Sequence, residues 1–109
     1  MDEAYELVVA IVNRSASNKA VEAAIAAGAK GSTIISGRGA GSEAAIHIFG
    51  LAVEHEKDLV LVACSTEISG KVADTIDKAI DTSIPGNGII LVLPIKRSLG
   101  LGKILPAMK

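Results

Sequence analysis

Two glycine-rich segments are the places where this sequence could do chemistry. In the first, Gly37-Arg38-Gly39-Ala40-Gly41-Ser42-Glu43, alternate positions carry no side chain, so successive backbone N–H groups can form a concave nest around an anion. It lacks the Gly-Lys-Ser/Thr ending of a Walker motif, which argues against an ATPase loop. The second, Pro85-Gly86-Asn87-Gly88, can take positive φ values and bring its backbone close to a ligand. Both compositions also suit plainer structures, a flexible hairpin loop and a tight turn.

Other reactive side chains are poorly placed for catalysis. Glu54, Glu56 and Asp58 alternate at strand spacing around His55 and Lys57, as a metal-binding carboxylate row would, but an exposed strand start uses the same residues and is the expected reading. His47 and His55 have no partner at a metal-ligand spacing and read as loop histidines, so no metal site is expected. There is no Gly-x-Ser-x-Gly elbow and no histidine with an evident nucleophile and orienting acid, so we expect no catalytic residues and no enzyme. Cys64, the single cysteine, reads as a small buried hydrophobe on a strand.

The elements that must position the glycine segments follow from periodicity. Residues 6–12 are almost continuously apolar, as in a strand at the middle of a sheet. Ser15, Ser17 and Asn18 offer N-cap side chains before a stripe of Val21, Ala24 and Ile25, and Gly28 ends this first helix near Ala27. Residues 32–36 form a second, β-branched strand that the glycine run stops; residues 42–55 have weak periodicity and are expected to be mobile. A third strand over 57–64 precedes a helix that starts at the Ser65-Thr66 cap, buries Ile68, Val72, Ile76, Ala79 and Ile80, and exposes Lys71, Asp74, Asp77 and Lys78. The Pro85–Gly88 turn leads into a fourth strand over 89–93, stopped by Pro94.

This β-α-β-β-α-β order predicts an α+β, ferredoxin-like sandwich, a four-stranded antiparallel sheet with two helices on one face. The other sheet face is then apolar and bare, and another copy or partner must cover it. Composition agrees with one domain over residues 1–109: half of the residues are apolar (50%) but only 2% are aromatic, so the core is built from Val, Ile, Leu and Ala, with Phe49 its lone large ring. A net charge of -1 gives no basic field for nucleic acid, and none is expected as a partner. No apolar run nears the roughly 20 residues of a membrane span, so no direct membrane insertion is expected. The acidic start, Asp2 and Glu3, is unlike a secretory signal; a cytoplasmic location is the expectation.

With both glycine segments correctly placed in that order, the sequence resembles the PII signal-transduction family. The residues that carry the likeness are Gly28-Ala29-Lys30-Gly31-Ser32-Thr33, leading through Ile34 and Ile35 to Gly39-Ala40-Gly41, and Pro85-Gly86-Asn87-Gly88-Ile89-Ile90; it extends from Glu6 to about Gly100. The resemblance implies a homotrimer with its sheets facing inward, adenine nucleotides at the subunit clefts, and a long loop, here residues 42–54, that grips or releases a partner protein such as a membrane transporter. By the same resemblance Ile11, Thr33, Gly39, Ala40, Gly41, Ser42, Val62, Gly86, Asn87 and Gly88 line the cleft, and Lys96 and Arg97 stand in for the basic C-terminal residues within segment 95–109.

The departures bear on the ligand. Ser42-Glu43 replaces an Arg-Gln pair, Glu56 a phosphate-binding lysine beside Lys57, and Ile89 a further lysine. Each lost charge-assisted contact is worth about 1.5 to 3 kcal/mol, so ADP or AMP is expected to bind no worse than ATP. No cofactor is required. Residues 42–54 hold no tyrosine, which leaves nitrogen signalling by tyrosine modification without its residue. A structural or protein-interaction trimer that has lost its ligand is the alternative.

Overall fold

The structure, a computed structural model, describes residues 4–38, 47–48, 51–52 and 56–101. Strand β1 (Tyr5–Asn13) is followed by a 3-10 turn (Arg14–Ala16) and helix α1 (Ser17–Ala26). Then come β2 (Thr33–Arg38), the short β3 (His47–Ile48) and β4 (Leu51–Ala52), β5 (Glu56–Ser65), helix α2 (Thr66–Ile80) and β6 (Gly88–Ile95). The main sheet is antiparallel with strand order β2-β5-β1-β6, so the continuously apolar β1 is central, as its composition requires. The sandwich is the expected one.

Alternation divides the sheet into two faces. Val8, Ala10, Val12, Val60, Val62 and Cys64 enter one core with Val72, Ile76 and Ile80 of α2 and with Ala20, Ala23, Ala24 and Ala27 of α1 and its end. α2 buries Val72, Ile76 and Ile80 of the predicted stripe, with Ile68 and Ala79 partly buried against the core. In α1 the predicted Ala24 is fully buried and Val21 packs against the core, but Ile25 is 53% exposed and the rest of the buried face is an alanine row, because small side chains let the helix lie close to α2. The opposite sheet face carries Leu7, Val9, Leu59, Leu61, Leu91 and Leu93, with no helix over it among the described residues.

Helix ends differ from the expected caps. Ser15 lies in the 3-10 turn, Ser17 is already helical and its hydroxyl donates to Arg14 O at 2.9 Å, and Ala16 occupies the N-cap without a side-chain bond. At the other end Gly28 takes φ +113, its N–H reaching Ile25 O and that of Ala29 reaching Ala24 O, each at 3.0 Å, the paired bonds of a Schellman motif. α2 starts after Ser65, whose side chain makes no cap bond; the Thr66 N–H is instead satisfied by Ala4 O at 3.1 Å, which ties the helix to the beginning of β1.

Both strand ends drawn at punctuating residues extend further. β2 continues through Gly37 and Arg38, paired with Lys57 and Glu56, because a glycine on an edge strand still offers its backbone to the ladder. β6 continues through Pro94 to Ile95, with Pro94 opposite Glu6. β6 is an edge strand, so proline is tolerated where its missing N–H would have pointed away from β1. The His47–Ile48 and Leu51–Ala52 ladder falls within the segment whose sequence lacks periodicity; most of the rest of residues 42–55, expected to be mobile, lies outside the described residues.

α2 ends on Asp81, which adopts the left-handed conformation at φ 59. One turn back, the Asp77 carboxylate accepts bonds from the hydroxyl and the N–H of Thr82, and these hold its pKa below the usual value. A depressed carboxyl pKa adds stability above the unfolded-state value, lost as pH falls through the folded one. Thr82→Ala is therefore expected to move the Asp77 titration upward when followed by carboxyl NMR, toward the ordinary aspartate range.

Candidate functional site

One end of the sheet gathers the second glycine turn and the root of the first glycine segment. Asn13, Lys57 and Gly37 lie in one row across β1, β5 and β2, and Gly88 pairs with Val12 beside that row. The turn and the root sit on opposite edges, about 14 Å apart over three strand spacings. Ile11 and Thr33 belong to the sheet face without a helix, Ile11 fully buried and Thr33 exposed. Val62 is fully buried in the helix-side core, so a ligand would meet its backbone and not its side chain.

The two glycines of the turn do different work. Gly88 has φ +150, and a Cβ there would lie 2.5 Å from Ile11 O, so glycine is demanded by the sheet. Gly86 has φ +90 and open space where its Cβ would be, so its backbone is approachable from outside. Asn87 is spent on the helix: its Nδ2 donates to Ile80 O at 2.7 Å and Asp81 O at 3.2 Å, satisfying carbonyls at the end of α2. Those side-chain donors are engaged within the chain.

Charged groups cluster at the same end. Lys57 is 1% exposed, and its Nζ donates to Gly86 O at 3.1 Å, an acceptor that Asn13 Nδ2 shares at 3.4 Å. Asp58, on the helix face, is buried against Arg14, with Nε 3.3 Å from Oδ1. Asp58 therefore belongs to an ion pair and not to an exposed carboxylate row. Glu54 and His55 lie outside the described residues, within which no cluster of metal-ligating groups occurs.

Lys96 and Arg97 are elsewhere. They follow Ile95, which pairs with Tyr5 at the far end of β6, about 24 Å along the strand from Gly88, so within one chain they do not meet the turn. Gly39, Ala40, Gly41, Ser42 and Phe49 lie outside the described residues. A hollow of about 120 Å³ among Ala4, Ser65, Thr66 and Glu67 also lies at the far end, and is too small for a nucleotide. Cys64 is inert: burial first, and the nearby Glu6 carboxylate second, push its thiol pKa up.

Sequence reasoning left out Asn13 and read Lys57 as part of an exposed strand start, where the structure buries it. The signal was present in the alternation, since Lys57 precedes Leu59, Leu61 and Ala63 on the bare face while Asp58 precedes Val60, Val62 and Cys64 on the other.

A sheet of this order with both helices on one face and a glycine turn at its rim is a ferredoxin-like fold of the PII type. The sequence matches the family model "Nitrogen regulatory protein P-II" over residues 5–101, and the chain belongs to that family. Among solved structures it is similar to PII of Arabidopsis thaliana bound to citrate, with 23% identity and TM-score 0.64, covering 86% of this chain and 77% of that one. It is also similar to a putative PII-like signalling protein of Thermus thermophilus, with 22% identity and TM-score 0.63, covering 87% of this chain and 90% of that one. At these identities the likeness establishes the fold. No curated protein matches the sequence. Among the described residues no helix is long and apolar enough to cross a membrane.

Proposed function

We propose that this chain is a homotrimeric, non-enzymatic PII-like regulator that senses an adenine nucleotide at clefts between subunits. Residues 42–54 act on a partner protein, for which a membrane transporter is one candidate. The observation that supports this reading best is the apolar sheet face that no described helix covers, on which Ile35 and Leu93 stay exposed, with the glycine turn at its rim. Copies that bury this face against one another bring the rim of one sheet beside its neighbour, and Lys96 and Arg97 can then reach a turn they cannot reach in their own chain. Gly86 leaves its outer side open to such a ligand.

Calorimetry with AMP, ADP, ATP and citrate tests it, citrate because one structural neighbour holds that anion. The backbone can hold one or two phosphates, whereas Ser42, Glu56 and Ile89 bring no cation to a third. The expected result is ADP or AMP binding at least as tightly as ATP, with ATP weakened about tenfold per missing cation relative to a fully equipped cleft. No binding at millimolar concentration replaces this reading with the ligand-free interaction trimer.

A further inference from the structure

The second glycine turn is not held by its own hydrogen bonds alone. Its Gly86 carbonyl accepts from both Lys57 Nζ, at 3.1 Å, and Asn13 Nδ2, at 3.4 Å. These donors come from the ends of β1 and β5, two adjacent central strands, and they reach across the sheet row that also contains Gly37. Lys57 is the largest fully buried side chain of the described residues, at 1% exposure. An ammonium is removed from water only where polar groups replace its hydration, and the Gly86 carbonyl is one of them.

The backbone of Lys57 matters as well. It pairs with Gly37, and a Cβ at Gly37 would meet Lys57 O at 3.4 Å, so β2 lies close against β5 here. The next pair, Arg38 with Glu56, is the last rung of this ladder among the described residues. One residue thus belongs to the end of the β2–β5 ladder and, through its side chain, to the turn at the opposite edge.

We infer that Lys57 and Asn13 are positioning residues for the second glycine turn, and that Lys57 links the shape of that turn to the root of the segment spanning residues 39–55. The link rests on the reading of the turn as part of a nucleotide site. Clamping the Gly86 carbonyl toward the sheet acts on the same peptide whose N–H, that of Asn87, donates to Ile84 O at 3.1 Å, so the two bonds together fix its rotation and the approach to Gly88. Without the clamp the turn keeps its glycines but loses one defined orientation.

Lys57→Met keeps the length and most of the volume of the side chain while removing its donors, and Asn13→Ala removes the second donor without touching the buried cation. Amide exchange of Asn87 and Gly88 is expected to quicken about tenfold in Lys57→Met and less in Asn13→Ala, in line with one charge-assisted and one neutral hydrogen bond. Lys57→Arg, which restores donors, should recover most of the protection. With ADP as probe, the amide shifts that binding produces at Gly37 and Arg38 in the natural protein should vanish in Lys57→Met, even though Met fills the same space. If Lys57→Met does not fold, Asn13→Ala decides by exchange alone. Unchanged exchange at Asn87 and Gly88 overturns the inference. Absence of ADP binding to the natural protein overturns the nucleotide reading and leaves the clamp to be judged by exchange.

Discussion

Gly88→Ala loses about 3 kcal/mol or more of folding stability, whereas Gly86→Ala, two residues away in the same turn, loses about 1 kcal/mol. At Gly88 the new Cβ would be 2.5 Å from Ile11 O, with Ile80 Cδ1 at 3.3 Å and Val12 Cγ1 at 3.4 Å, so the backbone of the central strand must move. At Gly86 nothing lies within 4 Å, and the penalty is the left-handed φ of +90. Urea denaturation of both variants at one fixed protein concentration makes the comparison, the concentration being fixed because assembly adds to apparent stability. Equal losses would mean that the turn does not seat against Ile11 as described.

Leu61→Asp is expected to convert the proposed trimer to monomers while leaving the subunit folded. Leu61 stands in the row Thr33, Leu61, Val9, Leu91 across the bare face, on the opposite side of β5 from the core residues Val60 and Val62. If that face is packed against other copies, each subunit buries an unpaired carboxylate at a cost of several kcal/mol, and the threefold repetition raises the dissociation constant by orders of magnitude. Sedimentation at micromolar concentration should give a trimer for the natural protein and a monomer for the variant, with similar far-UV circular dichroism. Glu67→Arg, on the exposed start of α2, should sediment as the natural protein does. A trimeric Leu61→Asp would remove the inward-facing sheet from the proposed architecture.

The architecture was legible because its signals are carried by runs of residues. The unbroken apolar stretch of β1 identified the central strand, and the spacing of Val72, Ile76 and Ile80 identified the buried side of α2. Single residues were less informative. Gly37 and Pro94 read as stops in the sequence, yet on edge strands each needs only half of the ladder bonds and is accommodated. The α1 stripe favoured bulky Ile25 over small alanines, although a close helix pair selects for smallness, which hydrophobicity does not measure. Two-residue strands such as His47–Ile48 have no period to detect.

The candidate site was half legible. Glycines at 86 and 88 are visible as composition, but only the register separates the one required by Ile11 O from the one that opens outward. Lys57 reads as a solvated charge at a strand start because local sequence does not reveal a carbonyl 29 residues away. Nor does local sequence reveal that the Asn87 amide caps α2, its acceptors being carbonyls at the end of a helix that stops beside it.

Pro94 bears on what this protein does when crowded. A strand at the margin of a sheet is a template on which another chain can lay itself, and runaway growth into fibres begins there. On β6 the template is defective, since the position opposite Glu6 has no donor to offer an incoming strand. The bare face can still pair with another bare face, and that mode of contact closes on itself once each copy is covered. A proline that leaves the fold intact thus takes one donor away from an edge on which an open-ended polymer would have to grow.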